Sequence, residues 1–209
     1  MKNAMFTLLL VFVMTGFGYA VDNNTPPPDY KGQIAERPIL VKGDRWHYDR
    51  RDKILSYEFI EEKDGELIFL VGWEDGKKGK EMRTPELNFL KGAAETCDPY
   101  RGPFKFPLYV GKKWDYTHTS SKYKQSSGTG DELAVTDSKV KVVAYEQIKV
   151  PAGTFWAYKI EENRVTRGTK SLRGYNVTVW YSTEVKNTVK SEEDNDVWNR
   201  ELLKFTPGK

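Results

Sequence analysis

Apolar and polar residues alternate in short runs along most of this chain, and glycine, proline or charged turns bound the runs. Ile54 to Glu61 and Glu66 to Trp73 flank Glu62-Lys-Asp-Gly65, a hairpin signal in which Asp-Gly supplies the turn. In the second half, Lys139 to Glu146, Phe155 to Ile160 and Asn176 to Tyr181 repeat the two-residue period, and Val197 to Phe205 closes the chain. A strand sends alternate side chains to opposite faces, so Val177, Val179 and Tyr181 share one face and Thr178 and Trp180 the other. Both faces carry bulk, which predicts sheets that are curved or packed on both sides. No long segment sustains the i, i+3, i+4, i+7 spacing of an amphipathic helix, and Glu86 to Ala94 is the most helix-like stretch. The pattern therefore predicts an all-β protein of antiparallel sheets, as a curved half-barrel or a sandwich, with little helix.

One motif occurs twice. Pro38-Ile-Leu-Val-Lys-Gly43-Asp-Arg-Trp46-His-Tyr48 matches Pro107-Leu-Tyr-Val-Gly111-Lys-Lys-Trp114-Asp-Tyr116 in its apolar step, glycine and spaced aromatic pair. Tyr57-Glu58-x-Ile60 resembles Tyr145-Glu146-x-Ile148 in the same order. The tryptophans lie 68 residues apart and the Tyr-Glu-x-Ile elements 88, so this alignment puts 20 extra residues into the second copy. They include the Ser- and Gly-rich stretch Ser120 to Asp131, which reads as a flexible hairpin tip. Two diverged β-units sharing one core are expected, because a first copy of this size buries too little alone.

The remaining segments complete the division. Residues 1–20 read as a secretory signal: Met1-Lys2 is basic, Ala4 to Phe17 almost wholly apolar, and Gly18-Tyr19-Ala20 a small-x-small cleavage site. The apolar stretch is shorter than the roughly 20 residues of a spanning helix, so the mature chain is expected to have no transmembrane span. Residues 21–37, with Pro26-Pro-Pro28, form an extended, mobile leader. Residues 38–95 make the first β-unit, 96–106 a glycine- and proline-rich linker, and 107–206 the second β-unit.

Cleavage leaves 32 basic against 30 acidic residues, a balance that excludes nucleic acid as the main partner. The lysine clusters at Lys77-Lys78-Gly-Lys80, Lys112-Lys113 and Lys122-Tyr-Lys124 read as solvated turns and sheet edges. Cys97, the single cysteine, permits no internal disulfide, so stability must come from the core, with Cys97 a small filler in a loop.

Candidate chemistry is thin. His47 and His118 fall on different faces of related strands, which argues against a shared metal site. Glu61-Glu62 and Glu161-Glu162 point alternately and read as solvated charges rather than catalytic pairs. A glycosidase pair drawn from separate strands is a spatial relationship that no spacing discloses. Glu192-Glu-Asp-Asn-Asp196 reads as a polar turn before it reads as a calcium loop. Serine-nucleophile and phosphate-loop motifs are absent. Trp46, Trp114, Trp156 and Trp180 are core residues first and ligand platforms second. No catalytic, cofactor-binding or metal residue is therefore expected, and no cofactor.

The second half carries a resemblance. Gly111-x-x-Trp114-x-Tyr116, Val150-Pro-Ala-Gly-Thr-Phe155, Asn176-Val-Thr-Val-Trp-Tyr-Ser182 and Val189-Lys190 are similar to a group of exported bacterial proteins known only by a domain of unknown function, over about 107–205. The resemblance implies a β-rich bacterial envelope protein with a half-barrel as one form of the fold, and brings no catalytic residues. In physical terms Pro151 presets φ, Gly153 permits positive φ and Thr154-Phe155 restarts a strand. The expected function is a non-enzymatic periplasmic or extracellular module that binds or assembles with an envelope protein, glycan or lipid. The alternatives are a carrier of an apolar ligand in a curved sheet and, more weakly, a hydrolase using carboxylates.

Overall fold

The structure is a computed structural model, and it describes residues 25–51, 53–122, 132–168, 172–194, 196 and 199–209. The signal segment and the tip of the Ser- and Gly-rich insert lie outside the described residues. All regular elements among the described residues are strands: β1 (Arg45–Asp49), β2 (Ile54–Lys63), β3 (Glu66–Trp73), β4 (Lys78–Arg83), β5 (Phe89–Lys91), β6 (Glu95–Arg101), β7 (Lys113–Lys122), β8 (Glu132–Val150), β9 (Gly153–Gly168), β10 (Leu172–Ser182), β11 (Asn187–Glu193) and β12 (Arg200–Thr206).

Each strand pairs antiparallel with its sequence neighbours, and β1 pairs with β12, so the meander closes into one barrel. Closure satisfies every edge and replaces the half-barrel and sandwich expectations with a more specific architecture. The helix expected at Glu86 to Ala94 does not form. Phe89–Lys91 is β5, paired with β4 and β6, because ladder bonds on both sides outweigh a weak helical spacing. The 96–106 stretch, read as a linker, supplies most of β6, whose Glu95 to Asp98 pair with β7. The two β-units thus share a single core.

Local signals hold well. The Asp64-Gly65 turn has both residues at positive φ, the backbone that twists a two-residue hairpin correctly. Val150 and Gly153 close the β8–β9 hairpin, with Gly153 at φ 138°. The leader is partly docked: Ala35 is buried and exchanges backbone bonds with Leu108, while the Val110 N–H donates to the Tyr30 hydroxyl at 3.1 Å.

The two opening turns share one geometry. Gly43 N–H donates to Phe59 O and Gly111 N–H to Val142 O, both at 2.9 Å, and both glycines have positive φ, 89° and 97°. Trp46 then pairs with Tyr57 and Trp114 with Val140. The Tyr-Glu-x-Ile likeness is not part of it: Tyr145 lies beyond a bulge in β8 and pairs with Tyr158. Trp46 and its partner are 11 residues apart, and Trp114 and its partner 26, so the second copy is longer by 15 residues rather than 20.

Candidate ligand cavity in the charged half of the barrel

Alternation along the strands fills one half of the interior with apolar side chains and the other with charge. On β9 the inward residues run Ile160, Glu162, Arg164, Thr166; on β7 they run Trp114, Tyr116, His118, Ser120. β12 contributes Leu202 and then Arg200, and β11 contributes Val189, Ser191 and Glu193. The apolar half is packed solid around Trp46, Phe69, Val142, Ile160 and Leu202, all buried.

The charged half holds an open cavity of about 600 Å³, within the range of small-molecule sites. Trp73, Lys80, Ala93, Ala94 and Arg173 are its exposed lining residues and form the mouth, where the small β5–β6 turn leaves an opening. Its apolar wall is Val71, Leu87, Phe104, Val177 and Val179. Phe104 is fixed by Asn88, whose Nδ2 donates to Phe104 O at 2.7 Å and whose Oδ1 accepts from Phe104 N–H at 3.0 Å. Only glycine fits at 102 beside that clamp: its φ is 154°, and a Cβ there would collide with the Asn88 amide.

Four guanidinium groups line the remaining wall, each laid over an aromatic ring. Arg83 sits 4.7 Å from the Tyr57 centroid, Arg101 4.7 Å from Phe89, Arg164 5.7 Å from Tyr175 and Arg200 4.8 Å from Tyr48. Three have a close carboxylate: Arg83 with Glu81 at 2.6 Å, Arg101 with Glu95 at 2.7 Å and Arg164 with Glu162 at 2.7 Å. Arg200 has no carboxylate at ion-pair distance among the described residues, and its Nη1 lies 3.4 Å from the Tyr57 hydroxyl. The Nε atoms of Arg164 and Arg200 are buried and have no hydrogen-bond partner among the described residues. Buried donors of this kind are costly unless something accepts from them.

The carboxylates differ. Burial acts to raise the Glu162 carboxyl, but Arg164 and the Tyr116 hydroxyl, which donates at 2.6 Å, hold it below its ordinary value. Both Glu162 oxygens thereby accept a hydrogen bond within the wall, and Glu162 itself does not line the cavity. Glu193 is raised by burial, and its nearest cation, Arg164 Nη1, is 3.9 Å away. His118 is pushed down to about 4 by burial and by Arg101 and Arg164, and its Nδ1 has no partner. The arrangement offers donors and positive charge.

Several sequence expectations change here. Glu161-Glu162 do point to opposite faces, but Glu162 is buried, because an inward position on β9 places it beside Arg164. Lys112 is likewise buried rather than solvated, its ammonium donating to Lys105 O at 2.6 Å and Pro107 O at 2.8 Å. His118 faces inward and His47 does not, in keeping with their opposite faces. Trp46, Trp114 and Trp180 are buried, while Trp156 is exposed and stacked on Tyr145 at 5.2 Å. Cys97 is buried within β6, not in a loop. None of the four cavity arginines was marked by a motif; the available signal was a charge at an inward position, as in Ile160-x-Glu162-x-Arg164.

The second half of the barrel also carries a likeness to known proteins. Residues 109–199 match the DUF3108-like family model. This DUF3108-like segment runs from before β7 to the end of β11 and supplies Arg164, Arg173 and Glu193 to the cavity, while Arg83, Arg101 and Arg200 lie outside it. A Bacteroides fragilis protein described as exported, with a YmcC-like fold, is 16% identical at TM-score 0.50, covering 82% of this chain and 99% of its own. The hypothetical lipoprotein YmcC of Escherichia coli is 9% identical at TM-score 0.55, with 82% of this chain and 90% of its own covered. The fold is therefore YmcC-like, and the DUF3108-like match agrees with the resemblance read over 107–205. No curated protein matches the chain.

Proposed function

We propose that this is a non-enzymatic binding protein of the bacterial envelope that holds its ligand inside the charged half of the barrel. The observation that carries the reading is the cavity itself: six cations, Lys80, Arg83, Arg101, Arg164, Arg173 and Arg200, line it against three carboxylates, Glu81, Glu95 and Glu193. Buried guanidinium N–H groups with no acceptor are the counterpart of a polar ligand. The envelope location is supported by the signal-like residues 1–20 and by neighbours described as an exported protein and a lipoprotein. A purely apolar ligand fits less well, because it would dehydrate the guanidinium groups and return no hydrogen bonds. Assembly through the outer surface would leave the open cavity without a role.

Native mass spectrometry of the protein purified from its own envelope tests this. A non-covalent adduct of small-molecule mass, lost on unfolding, is expected. A protein that is always bare, or that carries only a protein partner, overturns the cavity reading.

A further inference from the structure

The charge balance of the cavity specifies more than polarity. Arg101, Arg164, Arg200 and Glu193 line the same cavity, and Arg164 Nη1 lies 3.9 Å from the Glu193 carboxylate. Arg101 and Arg164 also repel one another. Glu193 meets its nearest guanidinium at 3.9 Å, beyond hydrogen-bond distance, so it balances their charge without saturating their donors. The Arg164 and Arg200 Nε–H groups stay unmatched, and Arg164 is itself more than nine-tenths buried. Glu81, Glu95 and Glu162 pair Arg83, Arg101 and Arg164, and Glu193 stands beside them, so the six lining cations exceed these four carboxylates by two, which suits a dianion; planar guanidinium forks suit tetrahedral oxyanions.

Resting on the ligand-binding reading above, we propose that the ligand presents a phosphate monoester or diphosphate to Arg101, Arg164 and Arg200, and lays an apolar portion against Phe104, Val177 and Val179. Arg173 and Lys80 at the mouth draw the anion in. The phosphate oxygens accept from the two Nε–H groups that lack an acceptor among the described residues. Electrostatic capture of this kind predicts binding that weakens with salt.

The test is calorimetric titration of the purified protein with three probes: inorganic pyrophosphate, dodecyl phosphate and the neutral dodecyl maltoside. Binding of dodecyl phosphate, weakened by added salt and at least about tenfold weaker in Arg200→Gln, is expected, as is the loss of a charge-assisted contact. Arg173→Gln, an exposed position that leaves the fold alone, should weaken it several-fold. Arg45→Gln, an ion-paired control on the outer face, should not change it. Dodecyl phosphate binding far more tightly than pyrophosphate supports the proposal; pyrophosphate binding as tightly as dodecyl phosphate overturns the apolar contact with Phe104, Val177 and Val179. Dodecyl maltoside binding as tightly as dodecyl phosphate, or no binding of either phosphate, overturns the phosphate assignment. Native mass spectrometry then judges the binding reading separately.

Discussion

Asp44 and Lys112 occupy the same place in two turns of like geometry, each directly after a positive-φ glycine, and both are buried although their charges are opposite. Asp44 accepts from the Val41 and Gly208 N–H groups, each at 2.8 Å, and from Lys186 Nζ at 3.1 Å. Lys112 instead donates to the carbonyls of Lys105 and Pro107. One turn is locked by an acceptor that gathers donors, the other by a donor that gathers acceptors.

Each lock has a measurable cost. Asp44→Ala strands two backbone donors and a lysine, and Lys112→Met strands two carbonyls. Each should lower stability by about 2 to 4 kcal/mol in urea unfolding. A loss below about 0.5 kcal/mol in either would show that its turn is held by the glycine and backbone bonds alone.

The tryptophans separate scaffold from surface. Trp114, 7% exposed, should cost about 3 to 5 kcal/mol as Trp114→Ala. Trp156, 46% exposed, should cost less than about 1 kcal/mol as Trp156→Ala. Thermal unfolding of the two variants checks the order; equal losses would contradict it.

His118 predicts an acid sensitivity. Its folded value of about 4 lies below its ordinary 6.5, so between these limits the unfolded chain binds the extra proton and stability falls as pH drops. The full effect is about 3 kcal/mol. Glu95, Arg101, Glu162 and Arg164 act on the same ring, and Glu193, raised by burial, contributes with the opposite sign. Comparison with His118→Gln isolates the histidine: the variant should lose most of the wild-type decline between pH 6.5 and 4. An unchanged decline would assign it to the carboxylates.

Strand content was legible because alternation is a local signal. Ile54 to Trp73 and Asn176 to Tyr181 read as strands, and Asp64-Gly65 and Val150 to Gly153 as turns, from residue types alone. Closure was not legible, since the β1–β12 pairing joins residues about 160 apart. The same limit made Tyr145 look equivalent to Tyr57, because a bulge in β8 changes register without changing motif. The cavity was hidden for a related reason: Arg83, Arg101, Arg164 and Arg200 come from four strands, and a charged residue reads as solvated until its facing partner is known. Inward parity at Glu162 and Arg164 was the one local clue.

The most direct measurement is a nitrogen-15 spectrum of the arginine Nε–H groups, recorded with and without solubilised small molecules and lipids from the protein's own envelope. Binding in the charged half of the barrel predicts that the Arg164 and Arg200 signals move while Arg45, paired with Glu58 outside, stays fixed. Static Arg164 and Arg200 signals alongside a shifted Trp156 indole would place the ligand on the outer face and contradict the account.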